Sequence, residues 1–252
     1  MPVRVVLVEP THPGNIGAVA RAMGNMGVCD LSMVRPVDFR VEEARVRSAK
    51  NEEILANAHE CESLAEAIRD CSFVIGTSAR VRTIGWPNLT PREAMRQVAR
   101  ASDQGEKVAL VFGPESAGLS NSQIDQCDIL VRVPVSDSAP SINLAGSVLI
   151  LLYELRVIQL ASLVDDTESD EQQLKRKEDR LATRKQVQGF FEHLFDVMEN
   201  VEFISDNPRD ILKRKIRRIF LRPGLTEDEV NILRGFLKSV NKKTLDVETN
   251  SD

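Results

Sequence analysis

Residues 3–26 read VRVVLVEPTHPGNIGAVARAMGNM. The first six are β-branched or apolar apart from Arg4, with little alternation. That is the pattern of a strand covered on both faces, as in a parallel sheet. A Pro/Gly-containing loop follows, and from Ile16 to Met26 apolar residues recur at helical spacing. Strand, loop and helix in this order make the opening unit of an open α/β sheet. The same signature returns along the chain. Strand-like runs are expected at 31–34, 73–76, 108–112 and 129–133, with helical patterns at 63–69, 91–101 and 120–127. Residues 141–160 (SINLAGSVLILLYELRVIQL) begin on a candidate cap, Ser141, and turn apolar on most sides, which predicts a buried helix.

Residues 162–174 (SLVDDTESDEQQL) are polar and acidic and read as a linker. The remainder carries helical patterns alone: 179–198, a basic amphipathic segment at 208–220, and TEDE at 226–229, which resembles a helix start with acids in its first turn. The expected division is residues 1–161, a linker at 162–174, and a helical domain at 175–252.

The 252 residues carry a net charge of −5, which argues against indiscriminate nucleic-acid binding. The average hides two basic stretches, KRKEDRLATRK at 175–185 and NPRDILKRKIRRIFLR at 207–222. A local basic face attracts phosphate despite an acidic total. Cys29, Cys61, Cys71 and Cys127 form no CxxC pair and only three histidines are present, so a metal site is not expected. No signal-like segment opens the chain. The most apolar stretch, around residues 144–155, is too short to cross a bilayer, so a cytoplasmic protein is expected.

Ligands of open α/β sheets bind beyond the carboxyl ends of the strands. Three loops there carry chemistry. The first holds Gly14 and Gly17, which permit close backbone approach to a ligand, Asn15 and, on the following helix, Arg21. The second, FGPESAGL at 112–119, ends its strand at Gly113-Pro114 and adds Glu115. The third, SAPSINL at 138–144, offers a serine hydroxyl and an asparagine amide at a helix start. No Gly-Lys-Ser/Thr and no GxGxxG occurs, which disfavours nucleotide hydrolysis and a dinucleotide cofactor.

Taken singly these are ordinary turns. Together, N-x-G-x-x-x-R, then F-G-x-E-x-x-G-L, then S-I-N-L resemble the SpoU branch of the SPOUT methyltransferases. GTSAR at 76–80, Trp86-Pro87 and the helical tail are similar to its tRNA-modifying members, which methylate the ribose 2′-hydroxyl of cytidine or uridine at position 32 of the anticodon loop. The resemblance implies a parallel sheet with a deep C-terminal trefoil knot, S-adenosylmethionine as methyl donor, tRNA as substrate, a homodimer with the site at the subunit interface, and no metal or membrane. It implies catalytic roles for Asn15, Arg21, Glu115, Ser141 and Asn143. It implies cofactor contacts from Thr77, Ser78, Ala79, Leu110, Phe112, Gly113, Val133, Pro140, Ser141 and Ile142. RNA contacts are expected from Lys213, Arg214, Lys215, Arg217 and Arg218. In one place the chain departs from the pattern: residues 139–143 read APSIN where relatives often show a Ser-Ser-Leu-Asn run. An rRNA 2′-O-methyltransferase of the same fold, or a non-catalytic RNA-binding factor, are the alternatives.

Overall fold

The computed structural model describes residues 2–78, 88–138, 141–165, 181–201, 203–204, 209–221 and 225–248. It comprises two compact units, residues 1–170 and 171–252.

The first unit is built on a parallel sheet. Its strands are β1 (Val3–Val8), β2 (Asp30–Val34), β3 (His59–Cys61), β4 (Phe73–Thr77), β5 (Asn88–Leu89), β6 (Val108–Phe112) and β7 (Ile129–Val131), in spatial order β3-β2-β1-β6-β4-β7-β5. Pairing is in parallel throughout, with Val3 opposite Val108 and Arg4 opposite Asp30. β1 and β6 are buried along their whole length. Successive residues on a strand face opposite sides. Val3, Val5 and Leu7 therefore join one core with Leu110 and Phe112, while Val6 and Val8 join the other with Ala109 and Val111.

The helices of this unit are α1 (Pro13–Met26), α2 (Glu42–Ser48), α3 (Glu52–Ala56), α4 (Leu64–Ala67), α5 (Pro91–Asp103), α6 (Asn121–Ile124) and α7 (Leu144–Asp165). Pro13 occupies the first turn of α1, where its missing N–H costs nothing, and Gly27 ends the helix at φ 76°. α7 packs against α1 and α5. β3, β5, α2 and α3 were not expected from the sequence.

Several expectations about α7 are corrected. Its N-terminus is held by Asn143, not Ser141: the Gly146 amide donates to Asn143 Oδ1 at 2.7 Å and the Ser147 amide to the Asn143 carbonyl at 2.9 Å. The helix runs on through Asp165, so residues 162–165 are helical, not linker. It is also buried on one side alone. Val148, Leu151, Leu152 and Leu155 lie in the core, whereas Leu149, Tyr153, Val157 and Leu160 form an exposed row at helical spacing. By length and composition, the stretch Leu144–Ser162 is long and apolar enough to cross a membrane, which the sequence reading denied. Its buried side instead completes the core above the sheet, and Glu154 on it pairs with Arg92 of α5 at 3.1 Å.

At the amino ends of the strands a charge cluster ties the sheet together. Arg4, buried on β1, donates to Asp30 at 3.0 Å and to Asp70 and the Ala67 carbonyl at 2.7 Å, and Lys107 donates to Asp70 at 2.6 Å. Burial pushes the Asp70 carboxyl up, but the bonds from Lys107 and Arg4 outweigh it and hold it at about 2.

The second unit consists of α8 (Arg184–Asn200), α9 (Arg209–Leu221) and α10 (Glu227–Glu248). Thr183 and Gln186 cap α8 reciprocally, and Thr226 with Glu229 does the same for α10. The core is aromatic: Phe190, Phe191, Phe195 and Phe220 have ring centroids 5.1–6.2 Å apart.

Candidate active site

β1 leads through α1 to β2 on one side. β6 leads through α6 to β7 on the other. The loops after β1 and β6 therefore diverge, and the crevice between their carboxyl ends is the switch point where such sheets bind ligands. The first two motif loops meet there.

Glu115 is the junction. Its Oε1 accepts from Asn15 Nδ2 at 3.0 Å, and its Oε2 accepts from the Thr11 hydroxyl at 3.0 Å and the Thr11 amide at 3.2 Å. Partial burial raises the carboxyl, but the bonds from Asn15 and Thr11 more than compensate, leaving it below the usual carboxylate range. Glu115 is thus an anion at neutral pH, a holder of donors and not a proton donor. A carboxylate accepts only, so the Asn15 amide must turn its NH2 toward Glu115, which leaves Asn15 Oδ1 as an acceptor. Thr11 was missed by the sequence reading. Its role depends on a residue 104 positions away and carries no local signal.

Behind Glu115 lies a cavity of about 300 Å³, at the small end of the range for small-molecule sites. Among the described residues four chain segments line it: Thr77 and Ser78 at the end of β4, Phe112 to Leu119 from the end of β6, Val131, Val133 and Val135 from the end of β7, and Ser141, Ile142, Leu144 and Ser147 around the start of α7. Apolar walls and a few polar groups suit an adenosine with a charged sulfur substituent. The Thr77 hydroxyl donates to the Val111 carbonyl at 3.1 Å, and the Ser78 amide to the Val131 carbonyl at 3.0 Å, so the β4, β6 and β7 ends form a fixed floor.

The expected cofactor residues Thr77, Ser78, Phe112, Gly113, Val133, Ser141 and Ile142 line this cavity. Leu110 does not: it is fully buried in the sheet core, two residues before the strand end. Ala79 and Pro140 lie outside the described residues, as do Trp86 and Pro87. Gly113 lines the cavity, but a Cβ there would stand 2.3 Å from the Leu119 amide nitrogen and 2.4 Å from the Gly118 carbonyl carbon. Its small size is already demanded by the folding back of its own loop.

Of the expected catalytic set, Glu115 and Ser141 line the cavity, Asn15 is bonded to Glu115, and Asn143 serves α7. Arg21 is not in the lining. It sits six residues beyond Asn15, about 9 Å along the helix axis, and is exposed with no hydrogen bond or ion pair to a described residue. Gly14 and Gly17, read as sites of ligand approach, face α2 instead. A Cβ on Gly17 would lie 2.2 Å from the Ala44 carbonyl oxygen, and one on Gly14 would meet the Glu43 carboxylate.

The basic segment also differs from expectation. Lys213 pairs with Glu199 at 2.7 Å and lies over the Phe195 ring, while Arg217 lies over Phe191 and Phe195. These two cations point toward α8, and Arg214 and Arg218 hold further interactions of their own. Lys215 is exposed.

With this geometry in place, comparison with known proteins is decisive. Residues 2–153 match the SpoU rRNA Methylase family. The chain belongs to that family. Residues 185–250 match the C-terminal domain of the tRNA methyltransferase TrmJ. The family assignment makes the chain an α/β methyltransferase of SPOUT type with a helical C-terminal domain. The TrmJ of Pseudomonas aeruginosa (strain UCBPP-PA14), a tRNA (cytidine/uridine/adenosine-2′-O-)-methyltransferase, is 38% identical over 95% of this chain and 94% of its own. Its Escherichia coli K12 counterpart, a tRNA (cytidine/uridine-2′-O-)-methyltransferase, is 37% identical over 96% of each chain. The crystal structure of TrmJ from Zymomonas mobilis ZM4 superposes with a TM-score of 0.79 at 28% identity, over 94% of this chain and 98% of that one.

Proposed function

We propose that this chain transfers a methyl group from S-adenosylmethionine to the ribose 2′-hydroxyl of tRNA, at cytidine or uridine in position 32 of the anticodon loop. The observation that carries the reading is the meeting of the three motif loops at one crevice: Asn15 and Thr11 on Glu115, beside a cavity that Ser141 and Ile142 close. Nearly full-length similarity to TrmJ proteins supports the substrate. The residues fit the donor: the valines at 131, 133 and 135, with Phe112 and Ile142, give an adenine its apolar walls, and Ser78 and Ser141 give hydroxyls for a ribose.

When bound, S-adenosylmethionine supplies an electrophilic methyl on a positively charged sulfur. Asn15, its amide locked by Glu115, would accept a hydrogen bond from the ribose hydroxyl and aim an oxygen lone pair at that methyl, the hydroxyl proton leaving to solvent as the sulfur departs neutral. Glu115 keeps its negative charge through the reaction. Arg21 holds an RNA phosphate and stabilises developing charge on the sugar oxygen; a guanidinium donates only, so its role is positioning and electrostatic. Asn143 fixes the entry to α7, and Ser141 lines the cavity just ahead of it. No metal enters this scheme.

Arg21 lies away from the cavity of its own chain, and α7 exposes an apolar row. Both follow if two copies pair through α7 and Arg21 of the partner subunit reaches the cavity. The C-terminal trefoil knot belongs to the same reading: the loop from β7 returns past the β4 and β6 ends to line the cavity before α7 begins. The helical unit supplies RNA affinity, and the cytoplasm is the setting.

The test is methylation of unmodified tRNA and ribosomal RNA transcripts by the purified chain, followed by mass-spectrometric mapping. A single 2′-O-methylribose in the anticodon loop is expected. Methylation of ribosomal RNA alone would favour the rRNA alternative, and no transfer with no donor binding would favour a non-catalytic factor.

A further inference from the structure

The sequence directs attention to α9 as the RNA-binding helix, yet its cations are largely committed within the unit. Lys213 is paired to Glu199, and Arg217 lies over two phenylalanine rings. α10 carries what α9 lacks. Arg234, Lys238 and Lys242 recur every four residues, all exposed, with no hydrogen bond or ion pair to a described residue. Ile232 and Phe236 are likewise four apart, 70% and 66% exposed.

On an α-helix, residues four apart form a row. Lys238 and Lys242 on one side and the apolar row on the other flank an outward face with Gly235 and Ser239 between them, while Arg234 stands nearest α8, its Nη1 3.7 Å from where a Gly189 Cβ would lie. No described residue lies within 4 Å of where a Gly235 Cβ would stand, so among the described residues the face is open at its centre. Val230 and Leu237, on the opposite side, are buried in the aromatic core. An exposed phenylalanine has no packing role within the unit, and the three cations, on the other side of the face from it, bond to no acid among the described side chains. A nucleotide strand presents the complement: phosphates along one edge, flat aromatic bases along the other.

We infer that the outward face of α10 is the principal RNA-contact surface of the helical unit, with backbone phosphates on Arg234, Lys238 and Lys242 and an unpaired base stacked on Phe236. The inference rests on the tRNA reading above and names the surface that serves it.

The experiment uses the full chain and an unmodified tRNA transcript, with affinity measured by filter binding between 50 and 200 mM KCl. The triple variant Arg234→Gln/Lys238→Gln/Lys242→Gln should bind at least tenfold more weakly at the low-salt end. Its slope of log affinity against log salt should fall by roughly two, since each lost phosphate contact removes about 0.7 for a single strand. Phe236→Leu keeps an apolar side chain but removes the stacking plane; it should weaken binding about tenfold with the salt slope unchanged. Lys213→Gln/Arg217→Gln should lower the melting temperature and leave the slope alone. Donor affinity by calorimetry should be unchanged in the two α10 variants. A wild-type slope in the triple variant, or a slope change confined to the α9 variant, overturns the inference. So does Phe236→Leu converting a dimer to a monomer in sedimentation, which would make the face a contact between copies. A wild-type chain that binds no tRNA refutes the parent reading instead.

Discussion

Replacing Glu115 by glutamine isolates the junction of the site. The side chain keeps its size, so packing is spared, but one of its two acceptor oxygens becomes an NH2. The native carboxylate receives three bonds, one from Asn15 and two from Thr11, at 3.0–3.2 Å. Glutamine cannot serve both partners. If its oxygen faces Asn15, its NH2 confronts the Thr11 amide, two donors together. If its oxygen faces Thr11, Asn15 must turn its own amide over and present NH2 where the acceptor stood. A bond to a charged acceptor contributes about 1.5–3 kcal/mol when shielded. Glu115 is only partly buried and water replaces some of what is lost, so about 1–2 kcal/mol is the expected cost. For a domain of this size that lowers the melting temperature by roughly 3–6 °C.

The effect on rate should exceed the effect on stability. An Asn15 amide turned over, or a loop displaced by an ångström, misaims the attacking oxygen, a change worth about 100-fold in kcat. Scanning calorimetry and a tritium-transfer assay would measure the two, with donor binding by calorimetry as the control. The pH dependence gives an independent check. The folded-state pKa of Glu115 is lowered, so its contribution to stability is present above the unfolded value near 4.5 and is lost as pH falls through the folded value. The stability gap between wild type and Glu115→Gln should hold steady above about pH 5 and close below it. A variant with wild-type kcat, or a gap that widens in acid, would refute the assignment.

Arg21→Ala should reduce methyl transfer by at least 100-fold while leaving the melting temperature and donor affinity unchanged, because the side chain is exposed and lies outside the cavity; a large loss of donor affinity would contradict its assigned role. Gly17→Ala should destabilise by about 1–3 kcal/mol in urea titration, since its Cβ meets the Ala44 backbone at 2.2 Å and the helix-propensity gain of about 1 kcal/mol cannot offset that. At Gly14 the obstruction is the Glu43 side chain, which can swing aside, so Gly14→Ala should be much milder. Asp70→Asn leaves the buried Arg4 with one carboxylate fewer and should cost about 1–2 kcal/mol at neutral pH, less than a fully buried pair because Asp70 is half exposed. The folded pKa of Asp70, about 2, lies below its unfolded value, so that stabilisation is present above about pH 4 and disappears as pH falls toward 2.

What the sequence reveals is what local chemistry alone can enforce. β1 and β6 announce themselves because burial on both faces leaves no room for a polar alternation. β3, with His59, Glu60 and Cys61, has no such pattern and is a strand only because β2 offers it partners. α2 and α3 lie in a charged stretch whose few inward residues, Ala44 and Ile54, are too sparse to show a period. They are placed by α1, whose glycines make the groove α2 lies in, and so the same glycines were credited to a ligand. The site divides along the same line. Glu115 and Asn15 are chemical residues in suggestive turns and can be named from the chain. Thr11, and the inward commitment of Lys213 and Arg217, depend on residues that only folding brings near. A row of cations on a sequence states a charge density; whether that charge is available to a phosphate is settled by the acids and rings packed beside it. On this chain that shifts the expected RNA contact from α9 to α10, a helix whose charge alone would not have drawn attention.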